Sequence, residues 1–504
     1  MNHLNGQHVL VLGLGDSGFA IARWCARHGA RVTVADTREA PPKLDALREQ
    51  LPDARFVSGP FEAALVAGDL RAVYRSPGLS PQQVEPVAAA ARDRGIEVGG
   101  ELSLFASALA DLRTQRDYAP KVLAVTGTNG KTTVTALTGQ LVERAGRPVS
   151  VAGNIGPTLL DTLGEMMDAS TLPEVWVIEL SSFQLDAAGA FEPDVACVLN
   201  VTQDHLDWHG TMESYAASKA RIFGRRALMV LNREDPLVMK MLPEPLKVKG
   251  GKFEQRAHVT FGGDMPQRPG DFGIEVVNGM AWLVRALEAD ETLKKRKDND
   301  EEVHFQRLMP ADALRIRGRH NAVNALAALA LVTAIGCPLG PMLYGLREYR
   351  GEPHRVESVG VINGIEYFDD SKGTNVGATV AALQGLGAER KVIVILGGDG
   401  KGQDFSPLAV PVARHARAAV LIGRDAPQIR AVLEGGIVPL HAAASMEEAV
   451  EIAAAQAQPG DAVLMSPACA SFDMFRNSPP RAEVFRAAVQ SVAHAAGVNL
   501  EGSA

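Results

Sequence analysis

One short segment constrains the fold more than any other. Gly127-Thr128-Asn129-Gly130-Lys131-Thr132-Thr133 follows the apolar run at 122–125 and precedes a helix-forming stretch. A strand that breaks at glycine and restarts as a helix gathers backbone N–H groups and a helix N-terminus around one point, the geometry of a phosphate-binding loop. Lys131 is then placed to reach β- and γ-phosphates, and the Thr132 hydroxyl to bind Mg²⁺. The loop is a variant of GxxxxGK[ST] that lacks the first glycine. The 49 glycines, set between short Val/Ile/Leu runs, point to many strand-to-helix turns and hence to an α/β chain.

At 504 residues the chain exceeds one ordinary core. Strands are expected at 8–12, 31–35 and 72–74, with a helix at 17–28 and a turn at Ser76-Pro77-Gly78. This is a βαβ beginning and implies a parallel sheet. The polar stretch 111–120 reads as a linker. A second sheet begins at 121–125 and continues at 174–179, 196–200 and 227–231. From 247 to 307 the pattern weakens, and the charge run 294–302 reads as a solvated loop. A helix follows at 321–335, then a hinge at 351–355, then a third α/β unit with strands at 365–368, 391–396, 418–422 and 462–465. The expected domains are 1–115, 116–351 and 352–504.

Several function classes fall away. The net charge of -8 comes without a basic stripe, so nucleic acid is not an expected partner. Cys25, Cys197, Cys337 and Cys469 lie far apart with no CxxC spacing, which argues against zinc or a disulfide framework and fits a reducing compartment. Asp16 interrupts the first apolar run, unlike a signal peptide, and the apolar stretch 322–335 is too short to span a bilayer. The expectation is a soluble cytoplasmic protein without a membrane partner.

Other loops at expected strand ends carry chemistry. Glu179 ends a strand beside the phosphate loop, where a carboxylate faces the same crevice. Alone, it is equally a metal ligand or a surface residue. The run from Asn200 to His209 packs Asp204, His205, Asp207 and His209 into one loop, which suits a metal or phosphate site. Gly13-Leu14-Gly15-Asp16-Ser17-Gly18 with Asp36 is a dinucleotide-binding pattern that serves NAD, another nucleotide or nothing. The loops 369–375 and 397–401 bring Lys372 and Lys401 to two strand ends. Each is either a plain turn or, taken together, half of a site for a dianionic small molecule.

In order, the motifs GLGDSG, SPG, GTNGKTT, GNIG, ELSSFQL, NVTQDHLDWH, SYAASKARIF, RGRHNAVNA, GEPHR, DDSKGTN, GGDGK and SPACASFD resemble those of the Mur ligase family, closest to its D-glutamate-adding branch. The resemblance implies a Rossmann-like N-terminal domain, a central P-loop ATP-binding domain and a Rossmann-like C-terminal domain. It implies an ATP-dependent amide ligase that adds D-glutamate to UDP-N-acetylmuramoyl-L-alanine through an acyl phosphate, acting as a monomer. The implied catalytic residues are Lys131, Glu179, His205 and Lys219. Two Mg²⁺ ions would be held by Thr132, Glu179, His205 and Lys219, the last carbamylated. Without the resemblance, Lys219 reads as a solvated helix lysine.

By the same resemblance ATP would contact Gly127, Thr128, Asn129, Gly130, Lys131, Thr132 and Thr133, with Asn321 and Asn324 on the adenine side and Arg355 and Asp370 from the third domain. Asp36, Thr37, Arg38, Ser76 and Asn154 would bind the UDP substrate; Lys372, Thr374, Lys401 and Ser471 would bind D-glutamate. Phe472 and Ser478 depart from the family pattern near the glutamate pocket. The segment 247–307 contains insertions with no assigned role. The alternatives are a sister branch and an NAD-dependent oxidoreductase. The L-alanine-adding branch would place His at Asn129, and the diaminopimelate-adding branch would carry a DNPR motif that is absent here. The oxidoreductase would leave the phosphate loop and the DHLDWH cluster unused.

Overall fold

The structure is a computed structural model and describes residues 3–247, 253–288, 303–388, 390–471, 473 and 481–500. Its three main sheets follow one another along the chain. In the first, five parallel strands lie in the order Arg55–Ser58, Arg31–Asp36, His8–Leu12, Leu70–Arg75 and Val98–Gly99. Val9 to Leu12 are all buried, as a parallel strand covered on both faces requires. The strand order reverses beside His8–Leu12, and the crevice there is flanked by the Gly13–Gly18 loop, Asp36 and Ser76.

The second sheet has nine strands among the described residues. Val149–Gly153, Val175–Glu179, Lys121–Thr126, Val195–Val198, Leu228–Asn232, His258–Phe261 and Phe272–Val277 run parallel in that order. Met280–Glu288 and Val303–Pro310 add an antiparallel edge. One face packs on the helices Lys131–Arg144 and Arg319–Ala334 through Leu137, Leu326, Phe261 and Leu283. The other face shares a core with the first unit, where Phe105 meets Trp176 edge-on at 5.1 Å.

The third sheet runs Glu357–Ile362, Ile365–Asp369, Ala462–Met465, Val392–Gly397, Ala416–Ile422 and Leu440–Ala442. Only its first pair is antiparallel. Apolar clusters cover both faces. Among the described residues no helix is long and apolar enough to cross a membrane.

Two expectations need correction. Residues 111–116 are not linker but the end of the helix Glu101–Arg116, which buries Leu102, Phe105, Ala108 and Leu112 on one face. Asp117, in the left-handed region at φ 52°, ends it. The polar residues of its last turns hid a stripe at helical spacing. The weak region 247–307 also contains strands: the edge strands bury only one face, and exposed Val276, Met280 and Phe305 blur the alternation that marks a half-buried strand. The charge run 294–302, Phe472 and Ser478 lie outside the described residues.

Candidate functional site

The phosphate loop joins Lys121–Thr126 to the helix Lys131–Arg144, with Gly130 as its N-cap at φ 83°. A side chain at Gly130 would stand 2.8 Å from Asn324 Oδ1, so glycine is required both by the backbone turn and by the close approach of Arg319–Ala334. The adjacent strand-end loop fixes the rest. Thr128 N and Asn129 N donate to Asn200 O and Oδ1, both at 2.9 Å, and Asn200 Nδ2 donates to Asn129 O at 3.1 Å. Lys131 Nζ folds back onto the carbonyls of Gly127 and Thr128 at 2.9 and 2.8 Å. Burial lowers its pKa, with the charge of Glu179 opposing. Thr133 is buried in the first helical turn.

Glu179 is 1% exposed. Its Oε1 accepts from Asn154 Nδ2 at 2.8 Å, while Oε2 is buried with no hydrogen-bond partner. A buried carboxylate oxygen without a donor is costly, and a cation would satisfy it. Lys219 is also 1% exposed; its Nζ donates to Gly127 O at 2.9 Å and stands 4.5 Å from the Tyr215 ring centre. Burial first, then the charge of Lys131, hold its pKa well below the ordinary 10.5, with Asp204 and Glu179 opposing. It is not a solvated surface lysine.

His205 sits in the left-handed region at φ 53°, half-buried, its Nε2 3.6 Å from Asp204 Oδ2 and its ring edge-on to Phe183 at 4.8 Å. Burial lowers its pKa; Asp204 opposes this, whereas Lys401, Lys131 and Lys219 reinforce it. The 200–209 cluster therefore divides. Asn200, Thr202, Asp204 and His205 face the phosphate loop or its lysines. Asp207 is exposed, and His209 packs among Phe183, Trp208 and Tyr215 while bonding Ser182 at 2.9 Å.

The third unit reaches this loop directly. Arg355 Nη2 donates to Thr132 Oγ1 at 2.6 Å. Asp370 accepts from Ser466 Oγ at 2.6 Å, and burial pushes its pKa up to about 7. Beside them a cavity of about 710 Å³ lies between the second and third units, lined in part by Asn200, Gly318, His320, Asn324, Gln384 and His415. Asn321 anchors its edge, donating to Arg317 O at 2.8 Å and accepting from Asn324 Nδ2 at 3.2 Å.

Lys372, Thr374, Lys401 and Ser471 occupy three loops that follow neighbouring parallel strands. Backbone bonds draw these loops together: Ala468 N donates to Gly373 O at 3.0 Å, and Ala470 N to Asp399 O at 2.8 Å. Lys372 and Lys401 are exposed, whereas Thr374 and Ser471 are half-buried.

In the first unit, both oxygens of Asp36 are engaged by protein donors. Leu14 N reaches Oδ2 at 2.7 Å, and the Arg38 guanidinium takes both oxygens at 2.8 Å. Burial opposes ionisation, but these bonds outweigh it and hold the carboxyl below its ordinary range. Thr37 is exposed, and Ser76 Oγ donates to Gly13 O at 3.3 Å.

Among the described residues, one compact set of potential metal ligands is His354, Glu357 and Asp369. Arg486 pairs with both of its carboxylates, which makes it an ion-pair cluster. Asn200 and Asn375 were not singled out from the sequence, although both lie within quoted motifs. Their amides bond to the phosphate loop, a contact that becomes visible only once the fold brings the loops together.

Comparisons with known proteins agree with this layout. The family models for the Mur ligase MurD-like N-terminal domain, the Mur ligase middle domain and the Mur ligase glutamate ligase domain match residues 7–100, 125–332 and 354–469. A protein of Albidiferax ferrireducens named UDP-N-acetylmuramoylalanine–D-glutamate ligase is 69% identical over 505 residues, spanning 100% of both chains. One of the same name from Burkholderia mallei is 58% identical over 98% of each chain. The solved MurF ligase of Thermotoga maritima in complex with ADP shares the fold, with a TM-score of 0.55 and 17% identity over 98% of this chain and 100% of that one.

Proposed function

The chain belongs to the Mur ligase family, and from that premise we propose that it is the ATP-dependent enzyme that joins D-glutamate to UDP-N-acetylmuramoyl-L-alanine in peptidoglycan precursor synthesis. The observation that carries the reading is the 69% identity, over the whole length of both chains, to a ligase of that name. The site chemistry supports it.

A carboxylate is a poor electrophile. Transfer of the γ-phosphoryl group of ATP to the alanyl carboxylate releases ADP and makes an acyl phosphate. The D-glutamate amine attacks its carbonyl carbon, the C–N bond forms as the nitrogen gives up a proton, and phosphate leaves with the C–O electron pair. Positioning and charge neutralisation then dominate catalysis. Lys131 would exchange the carbonyls of Gly127 and Thr128 for phosphate oxygens, and Arg355 sits beside Thr132 to meet the transferred group. Gly127 to Thr133 cradle the phosphates, and Asn321 and Asn324 take the adenine side, with Asp370 contributing from the third unit.

Glu179, with its unpartnered Oε2, and Thr132 would hold one Mg²⁺. His205 and a carbamylated Lys219 would hold a second. Bound there, the ions neutralise phosphate charge. Lys219 suits carbamylation because its amine is held uncharged more readily than an exposed lysine, and a carbamate supplies the anionic oxygen that an ammonium cannot.

Asp36, Thr37, Arg38, Ser76 and Asn154 are assigned to the UDP substrate, with Asp36 shaping its loop through Leu14 and Arg38. Lys372, Thr374, Lys401 and Ser471 are assigned to D-glutamate. The working domains are 1–115, 116–351 and 352–504, and the enzyme acts as a cytoplasmic monomer. Mass spectrometry of the product tests the reaction: a mass gain of one glutamate less water, with one ADP formed per product, is expected. ADP formed without that product would overturn the reading.

A further inference from the structure

The loop assigned to phosphate and the loop assigned to D-glutamate meet in one pair of side chains. Asn375 Nδ2 donates to Asn129 Oδ1 at 2.9 Å, and Asn129 Nδ2 donates back to Asn375 Oδ1 at 3.1 Å. The two residues are 246 positions apart and belong to different sheets. Asn375 is 4% exposed, so an unpaired amide there would be penalised. Its Nδ2 also approaches Asp204 Oδ2 at 3.4 Å, next to His205.

The same side chain organises the next helix. Asn375 Oδ1 accepts from Ala378 N at 2.9 Å and caps the helix Val376–Gly387. A Cβ at Gly377 would stand 2.9 Å from Thr202 Oγ1 and 3.2 Å from Asn129 Nδ2, so the first turn of this helix lies hard against the central loops. Val376 N donates to Gln403 Oε1 at 3.1 Å, and Gln403 Nε2 donates to Gly400 O at 3.0 Å, one residue before Lys401. A continuous chain of bonds thus runs from Asn129 to the neighbours of both Thr374 and Lys401.

We propose that Asn375 is a positioning residue that latches the amino-acid loops to the phosphate loop, so that nucleotide bound at Asn129 and D-glutamate bound at Thr374 and Lys401 strengthen each other. This rests on the assignment of those two residues to D-glutamate. A substituted amide cannot be replaced by packing alone: the pair needs a donor and an acceptor on each side. Coupling of this kind is reciprocal, and each ligand must tighten the other by the same factor.

The test uses the full chain and a non-hydrolysable ATP analogue, with D-glutamate and analogue affinities each measured alone and together. In the parent enzyme the analogue is expected to tighten D-glutamate about tenfold. Asn375→Ser keeps an oxygen for the helix cap but cannot span to Asn129. It should reduce the coupling to within about twofold while leaving analogue affinity measured alone unchanged. Asn375→Asp, which keeps the cap and loses the donation, should likewise reduce the coupling and serves if the serine variant does not fold; because it sets a second carboxylate beside Asp204, it is read on the coupling alone. Asn129→Ser combined with either lowers analogue affinity itself, since Asn129 belongs to the phosphate loop, but should add little further loss of coupling, as two halves of one contact require. Retained coupling in both Asn375 variants would overturn the latch, as would a parent enzyme without coupling. Lys401→Ala isolates the underlying assignment: it should raise the KM for D-glutamate, and an unchanged KM would overturn the site itself rather than the latch alone.

Discussion

Lys131 and Lys219 converge on a single acceptor, each with its Nζ 2.9 Å from the carbonyl oxygen of Gly127. Two buried ammonium groups sharing one carbonyl repel each other. Burial and then the charge of Lys131 push Lys219 the further down. An uncharged amine is nucleophilic toward carbon dioxide, and the carbamate formed by loss of a proton converts this repulsion into attraction.

Lys219 is accordingly expected to bind ¹³C-labelled bicarbonate as a carbamate, seen as a carbonyl resonance that is absent from Lys219→Arg. That variant should lose at least about a hundredfold in kcat, because a permanent cation replaces an anion at the site. A fully active Lys219→Arg enzyme would contradict the assignment.

Arg355 bonds Thr132 across the junction of two units. Arg355→Lys keeps the charge but loses the planar fork, and should lower kcat by about 10²–10³-fold with a much smaller change in the KM for ATP. A change confined to KM would show that the contact serves ground-state binding.

Lys131, Glu179 and Lys219 illustrate what a sequence carries. The places of Lys131 after a glycine-rich turn and of Glu179 at a strand end were legible because both features announce themselves locally, but the burial of Glu179, which the residues alone left open, was not. The burial of Lys219 was not: the helix Met212–Ala220 is short and mixed in polarity, and only the resemblance to known ligases singled the residue out. The central parallel strands were legible as continuous apolar runs, whereas Arg55–Ser58, Val98–Gly99, Val149–Gly153, His258–Phe261, Phe272–Val277 and Leu440–Ala442 went unmarked. The antiparallel edge beyond Phe272 was missed because exposed apolar residues break its alternation. The Asn129–Asn375 pair joins residues 246 apart, a distance at which no local pattern speaks.

Glu101 is 3% exposed and accepts from Leu160 N at 3.2 Å where the first unit meets the helix Leu159–Ala169. Burial raises its pKa from the ordinary 4.5 to about 7, with the N–H groups of Leu160 and Leu159 opposing. The folded state therefore holds this proton more tightly than the unfolded chain, and stability falls as pH rises across that window. Glu101→Gln cannot ionise. Its stability relative to the parent should increase from about pH 5 to about pH 8 by roughly 2.5 kcal/mol. Urea denaturation at the two pH values checks this; parallel curves would contradict it.

Gly18, in the first turn of the helix Asp16–Arg27, lets that helix lie hard against the Gly13 turn at the crevice of the first sheet. A Cβ there would lie 2.0 Å from Gly13 O and 2.7 Å from Ser76 Oγ. Gly18→Ala should raise the KM for the UDP substrate about tenfold or more and lower stability by a few kcal/mol, leaving ATP-analogue binding intact. Equal losses in both ligands would instead indicate general unfolding.

The most direct test of the account is phosphate release with ATP, Mg²⁺ and UDP-N-acetylmuramoyl-L-alanine, comparing D-glutamate with L-glutamate, L-alanine and diaminopimelate. Turnover with D-glutamate alone is the predicted result. Turnover that depends on one of the other amino acids, with none for D-glutamate, would contradict it.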